Sequence, residues 1–103
     1  MKISIITVVL NSEVTIKDSI ESVIKQNYQN IEFIIIDGGS LDHTISIAKS
    51  YKKHISTLIS EPDKGIYDAM NKGLKIATGE IIGFLNSDDF YANNRVISKI
   101  VKE

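Results

Sequence analysis

The 103-residue chain has no cysteine, which excludes disulfides and thiolate metal sites and leaves any metal to oxygen ligands or the two histidines. It has no excess of either charge: 12 basic and 13 acidic residues are spread along it, for a formal net charge of -1. Without a basic stripe, nucleic acid is not an expected partner. Long hydrophobic runs are missing as well. The opening "MKISIITVVL" carries one lysine and an apolar stretch that ends at Asn11, too short to span a membrane and without a signal-peptide cleavage pattern. It predicts a buried strand in a cytoplasmic protein, at most peripheral at the inner face of the membrane. Phosphate-binding glycine motifs are absent, because "DGGSLD" has neither G-x-G-x-x-G nor G-x-x-x-x-G-K-[ST] spacing. His43 and His54 lack zincin spacing and read as helix-end or surface residues.

What is present suits one small domain over residues 1–103, since 43% hydrophobic content supports a core at this length. "ISIITVVL" (Ile3 to Leu10) is continuous and β-branched, the pattern of a strand buried on both faces of a parallel sheet. From Ser12, placed to cap a first turn, Ile16, Ile20, Val23 and Ile24 form a helical stripe running to about Gln26. "IEFIII" then predicts a second strand, and a second helix follows from about Thr44 to Lys53, capped near Asp42 or His43, with Ile45, Ala48 and Tyr51 inward. A weaker strand, "STLI", leads through "SEPDKG" to a third helix with Ile66, Ala69, Met70, Gly73 and Leu74 on one stripe, closed by Gly79. "EIIGFL" is a fourth strand, and residues 93–102 repeat helical spacing through Val96, Ile97, Ile100 and Val101, with nothing after them to cover that face. The alternation predicts an α/β fold, a Rossmann-like parallel sheet with right-handed crossovers and flanking helices.

In such sheets ligands bind beyond the carboxyl ends of the strands, where strand order reverses. Polar residues sit at all four ends: Asn11, Asp37, "EPDKG" and "NSDD". Asp88 and Asp89 repel each other near a low-dielectric sheet unless a cation or donor compensates, and Mg²⁺ or Mn²⁺ on a diphosphate takes one or two such carboxylates. The other reading of this pair is a cap on the helix that follows. Asp37 likewise has two readings: its carboxylate holds a "DGGS" turn, or it accepts from the imide N–H of a uracil that the glycines let approach. In "SEPDKGIYDAMNKG", Lys64 is able to meet phosphate, with Asp63 or Asp68 orienting it.

Taken together, "ISIITVVLNSE", "IIIDGGSLDHT", "SEPDKGIYDAMNKG" and "TGEIIGFLNSDD" resemble the amino-terminal, nucleotide-binding half of family 2 glycosyltransferases with the GT-A fold, over essentially the whole chain. The resemblance implies Thr7 and Val9 beside the base, Asp37 on the uracil edge, and Asp88 on the metal and diphosphate with Asp89 sharing that role. Asn86 stands where relatives often carry an Asp facing ribose, Leu10 where many carry Tyr, and Met70 where many carry Arg, so Lys64 is assigned the phosphate contact.

The implied activity is inverting transfer from a nucleotide sugar, UDP-linked, to a glycan or lipid-linked acceptor in cell-surface polysaccharide synthesis. Family members are much longer, which implies a truncated chain with its general base beyond Glu103, inactive in transfer alone and prone to self-association through the uncovered helix face. Two alternatives stay open: a nucleotidyltransferase acting on sugar phosphates, which releases pyrophosphate, and a phospho-receiver module. The latter wants an acidic pair after the first strand, where only Glu13 stands.

Overall fold

The computed structural model describes residues 1–86 and Ile97. Strands and helices alternate: β1 (Ile3–Val9), α1 (Ile16–Ile24), β2 (Ile31–Asp37), α2 (Thr44–Ser50), β3 (Thr57–Ser60), α3 (Ile66–Ile76) and β4 (Ile81–Phe84). All pairings are parallel, in the order β3-β2-β1-β4. The register sets Ile3 opposite both Ile31 and Ile81, and Val9 opposite Asp37. Order therefore runs outward from β1 through β2 to β3 and then reverses to β4, placing the switch point between β1 and β4.

The two central strands are continuous apolar runs because both their faces are covered. On one face Ile3, Ile5, Val9, Phe33 and Ile35 meet Ile16, Ile20 and Val23 of α1 and Ala48 of α2. On the other, Ile6, Ile34 and Ile36 meet Ala69 of α3. Each such aliphatic side chain removed from water contributes about 1.5–3 kcal/mol.

Several boundaries differ from the sequence expectation, each for a local reason. α1 begins at Ile16 rather than near Ser12, after a turn in which the Ser12 carbonyl accepts from the N–H groups of Thr15 and Ile16. α2 stops at Ser50, and its inward set is Thr44 and Ala48 with Ile47 and Tyr51, leaving Ile45 only half-buried. α3 buries a narrower stripe, Ala69 and Gly73, while Ile66 and Leu74 remain exposed.

Gly79 does not close α3; the cap is Ala77, whose N–H bonds the Gly73 carbonyl. Gly79 instead passes so close to β1 that a Cβ would lie 2.6 Å from the Ser4 backbone nitrogen. Of the expected last helix only Ile97 is described, and it is 1% exposed, part of the core, with its N–H on Gln26 Oε1. Val96, Ile100 and Val101 lie outside the described residues.

Candidate functional site

Strand ends in a parallel sheet all point one way, so the loops after β1, β2, β3 and β4 gather at one rim. The first two are laced together. Asn11 adopts a left-handed conformation, φ +48°, which Asn tolerates better than most residues. From there its N–H donates to Ser40 Oγ at 2.8 Å, and its Oδ1 accepts from the Leu41 N–H at 2.8 Å. The Ser12 N–H reaches Thr44 Oγ1, the Glu13 N–H reaches Asp42 Oδ2, and Glu13 Oε2 meets both the backbone N–H and ring Nδ1 of His43. Asp42 Oδ1 takes the Thr44 N–H and hydroxyl at the start of α2. Burial pushes the Asp42 carboxyl up, but these hydrogen bonds outweigh it and hold it below its usual range.

Asp37 ends β2 with 0% of its surface exposed. Its Oδ2 accepts from the N–H groups of Gly39 and Ser40, each at 3.0 Å, and from Ser60 Oγ at 2.9 Å; its Oδ1 accepts from Ser40 Oγ at 2.5 Å. Three of these four bonds fall on Oδ2 and one on Oδ1, so Oδ1 retains a lone pair. Of the two readings open for this residue, the hydrogen bonds show that the carboxylate holds the turn. Gly39, at φ +97°, supplies the backbone that the turn needs. The side chains of Thr7 and Val9 are buried on the α1-facing side of β1, with Val9 at the end of the strand opposite Asp37. Among the described residues, Thr7 Oγ1 is a buried polar atom with no hydrogen-bond partner.

The loop after β3 is tied to β2 by the Glu61 N–H on the Asp37 carbonyl. Within it, Asp63 Oδ1 accepts from the Gly65 N–H at 3.0 Å, and Asp68 Oδ2 accepts from the Lys64 N–H. Lys64 is exposed, and its ammonium makes no ion pair among the described residues. The cation that organises this loop is Lys72, which the sequence reading passed over: its Nζ lies 3.1 Å from Glu61 and 3.7 Å from Asp68 and donates to the Pro62 carbonyl. The signal for it was the helical i,i+4 spacing from Asp68. Glu61 chiefly, and then Asp68 and Asp63, hold the Lys72 ammonium above its usual range against the opposing effect of burial.

β4 delivers Asn86, exposed, to the rim beside the switch point, where its carbonyl accepts from Ser19 Oγ. Asp88 and Asp89 follow immediately in the chain and lie outside the described residues. Among the described residues, no three His, Cys, Asp or Glu side chains are grouped to hold a metal. The rim thus brings Asn11, Asp37, the Asp63–Lys64 loop and Asn86 to one edge of the sheet, with an exposed cation and an exposed amide.

This edge can be set beside known proteins. The family model described as Glycosyl transferase family 2 matches residues 4–103. An uncharacterized glycosyltransferase of Haemophilus influenzae is 41% identical over 97 residues, covering 91% of this chain and 39% of that protein. Among solved structures, TarS 1–349 of S. aureus in complex with UDP-GlcNAc superposes with a TM-score of 0.90 at 29% identity, over 99% of this chain and 30% of that one. Glucosyl-3-phosphoglycerate synthase from Mycobacterium tuberculosis, in complex with Mn²⁺, UDP and glucosyl-3-phosphoglycerate, gives a TM-score of 0.72 at 26% identity, over 86% of this chain and 35% of that one. The chain spans well under half the length of the relatives it matches. By sequence and by its parallel, helix-flanked sheet, it belongs to glycosyltransferase family 2, with the GT-A fold.

Proposed function

We propose that this chain binds the donor of a sugar transfer, a UDP-linked sugar, at the carboxyl edge of its sheet. The observation that carries the reading is the convergence of four polar loops on the β1/β4 switch point, with the Asn86 end of β4 leading directly into Asp88 and Asp89. UDP and UDP-GlcNAc in the TarS structures support the donor class. The exposed Lys64 ammonium meets a phosphate, and the Asn86 amide meets a ribose hydroxyl without adding charge. Asn11 fixes the loops around the donor, and Asp37, besides holding its turn, takes the uracil edge.

Asp88, with Asp89 beside it, holds Mg²⁺ or Mn²⁺; an all-oxygen pair of carboxylates suits a hard cation that keeps phosphate and water as its other ligands. The Mn²⁺ of the Mycobacterium tuberculosis synthase supports this choice. When bound, such a cation offsets the charge that develops on the leaving diphosphate. Titration calorimetry of UDP against the wild type and Asp88→Ala, with Mn²⁺ and with chelator, tests the assignment. Binding should fall by at least about tenfold in the variant and in chelator, the loss expected for an unpaired diphosphate; unchanged binding in either removes the metal from the site.

The acceptor is a glycan or a lipid-linked saccharide in cell-surface polysaccharide synthesis, and inversion by a carboxylate base is the reaction. We place that base and the acceptor site outside residues 1–103. No described helix is long and apolar enough to cross a membrane, which is compatible with a cytoplasmic location or peripheral attachment at the inner face. Residues 1–103 should fail to glycosylate acceptor in an assay where a longer form of the protein succeeds. Equal transfer by both would return the search for a base to Glu61, Asp63 and Asp68. Release of pyrophosphate rather than UDP in that assay would favour a nucleotidyltransferase.

A further inference from the structure

From Glu61 to Lys72 the chain carries three carboxylates, Glu61, Asp63 and Asp68, and two ammoniums, Lys64 and Lys72. The two cations do not share the anions between them. Lys72, its side chain 23% exposed, lies 3.1 Å from Glu61 Oε1 and 3.7 Å from Asp68 Oδ2, and donates to the Pro62 carbonyl at 3.4 Å. These partners stand at the two ends of the loop: the Glu61 N–H is bonded to the Asp37 carbonyl on β2, and Asp68 lies in the first turn of α3. The third carboxylate is turned elsewhere. Asp63 Oδ1 accepts the Gly65 N–H, and its Oδ2 stands over the end of β2, where a Cβ on Gly38 would lie 2.6 Å from it. Lys64 is left over: it is exposed, and its ammonium has no ion pair among the described residues.

A counter-ion for Lys64 is nevertheless close at hand. Asp68 Oδ2 accepts the Lys64 N–H at 3.0 Å, within reach of the flexible four-carbon stem of the same residue. Resting on the donor-binding reading above, we propose that Lys72 is a positioning residue for the donor's diphosphate: by occupying Glu61 and Asp68 it keeps the Lys64 ammonium free to meet a phosphate. An ammonium partly withdrawn from water and fixed by three oxygens holds a carboxylate better than one at the end of a mobile, exposed stem, so Lys72 wins Asp68 and Lys64 does not. Without the Lys72 charge the segment sets three anions against one cation, and Asp68 draws Lys64 back onto its own loop. A diphosphate then competes with carboxylates for the only ammonium left in that segment. Uridine, which has no phosphate, makes no such demand, so only the phosphate-dependent part of binding runs through Lys72.

The test is calorimetric titration of the intact protein with UDP and Mn²⁺, and with uridine in competition with UDP, for wild type, Lys64→Gln, Lys72→Gln, the double variant and Lys72→Arg. Lys72→Gln should weaken UDP by about fivefold, the upper end for one exposed charge pair, and leave the affinity for uridine unchanged. Lys72→Arg keeps the charge and should bind UDP as the wild type does. Because Lys72 acts through Lys64, its loss should add nothing once Lys64 is gone, so the double variant should bind UDP as Lys64→Gln does. A purely structural role for Lys72 predicts that UDP and uridine weaken together and that the two substitutions multiply; either result, or a Lys72→Arg as weak as Lys72→Gln, overturns the proposal. A Lys64→Gln variant that binds UDP as tightly as the wild type also overturns it, while leaving donor binding intact. A wild type that binds no UDP overturns the donor reading, and this inference with it.

Discussion

Asp37 shows how much a single carboxylate contributes by facing inward. Removing it leaves the Gly39 and Ser40 N–H groups and two hydroxyls without their acceptor at the end of β2. Asp37→Ala should therefore lower stability by about 2–4 kcal/mol, as expected when bonds to a buried charge are lost. Urea unfolding measures this, and a loss under about 1 kcal/mol would mean the turn does not depend on the carboxylate. The position of Asp37 was legible in the sequence, because an apolar run followed by Asp-Gly-Gly marks a strand end. Its orientation was not, since that depends on Ser60, 23 positions away. The same distinction separates Lys64 from Lys72: the loop was recognisably rich in charge, but which ammonium faces Glu61 is settled by the rotation of α3. At Asp63 the informative neighbour is Gly38, and no local pattern connects residues brought together across two strands.

Helices and strands follow the sequence best where packing is apolar. The α1 stripe of Ile16, Ile20 and Val23 is buried as its spacing predicts. α2 departs from its apolar stripe because polar contacts orient it: Thr44 is drawn inward by Asp42 and by the Ser12 N–H, which rotates Ile45 toward the surface. α3 departs because small residues, not large ones, make its contact. A Cβ on Gly73 would lie 2.6 Å from Ile6 Cγ2, so the helix rests close on β1. Alanine has the better helix propensity by about 1 kcal/mol, yet Gly73→Ala should destabilise by about 1–3 kcal/mol through overpacking. A Tm that rises instead would show the helix free to retreat.

A second element-level device lies at the opposite end of the sheet. There Glu32 Oε1 accepts from the Ser4 hydroxyl and from the N–H and hydroxyl of Thr78, joining β1, β2 and the turn before β4. Burial raises the pKa of Glu32, but these bonds and the Lys2 charge outweigh it and hold it below its ordinary 4.5. The stabilisation is therefore fully present above about pH 4.5 and is lost as pH falls through the depressed folded value. In melts across pH, the Tm gap between wild type and Glu32→Gln should be constant near neutrality and close on acidification; a gap that widens in acid would reverse the sign.

On the scale of the molecule, the sheet has a buried centre, and among the described residues its β4 side is more exposed. α3 packs over β1 and β2, and on the same face β4 leaves Ile82 38% and Phe84 42% exposed. Exposed apolar side chains on such a strand favour association. The alternation of elements made the parallel sheet legible, but the uncovered surface was expected on the final helix, where Ile97 is instead part of the core. If residues 1–103 self-associate, the double change Ile82→Thr, Phe84→Thr should reduce it in sedimentation velocity without altering UDP titration. Association that persists unchanged would exclude the β4 flank as the contact.

The strand order also has a consequence for how the chain is made. Of the four described strands β1 is made first, yet it ends between β2 and β4. Its β2 side is closed as soon as residue 37 is available, whereas the backbone groups on its other side wait for residues 81–84. During that interval the most apolar strand of the protein carries an unpaired edge, the arrangement most open to pairing with another nascent chain. Slower completion of the segment between α2 and β4 should therefore lengthen the interval in which such pairing competes with the native sheet.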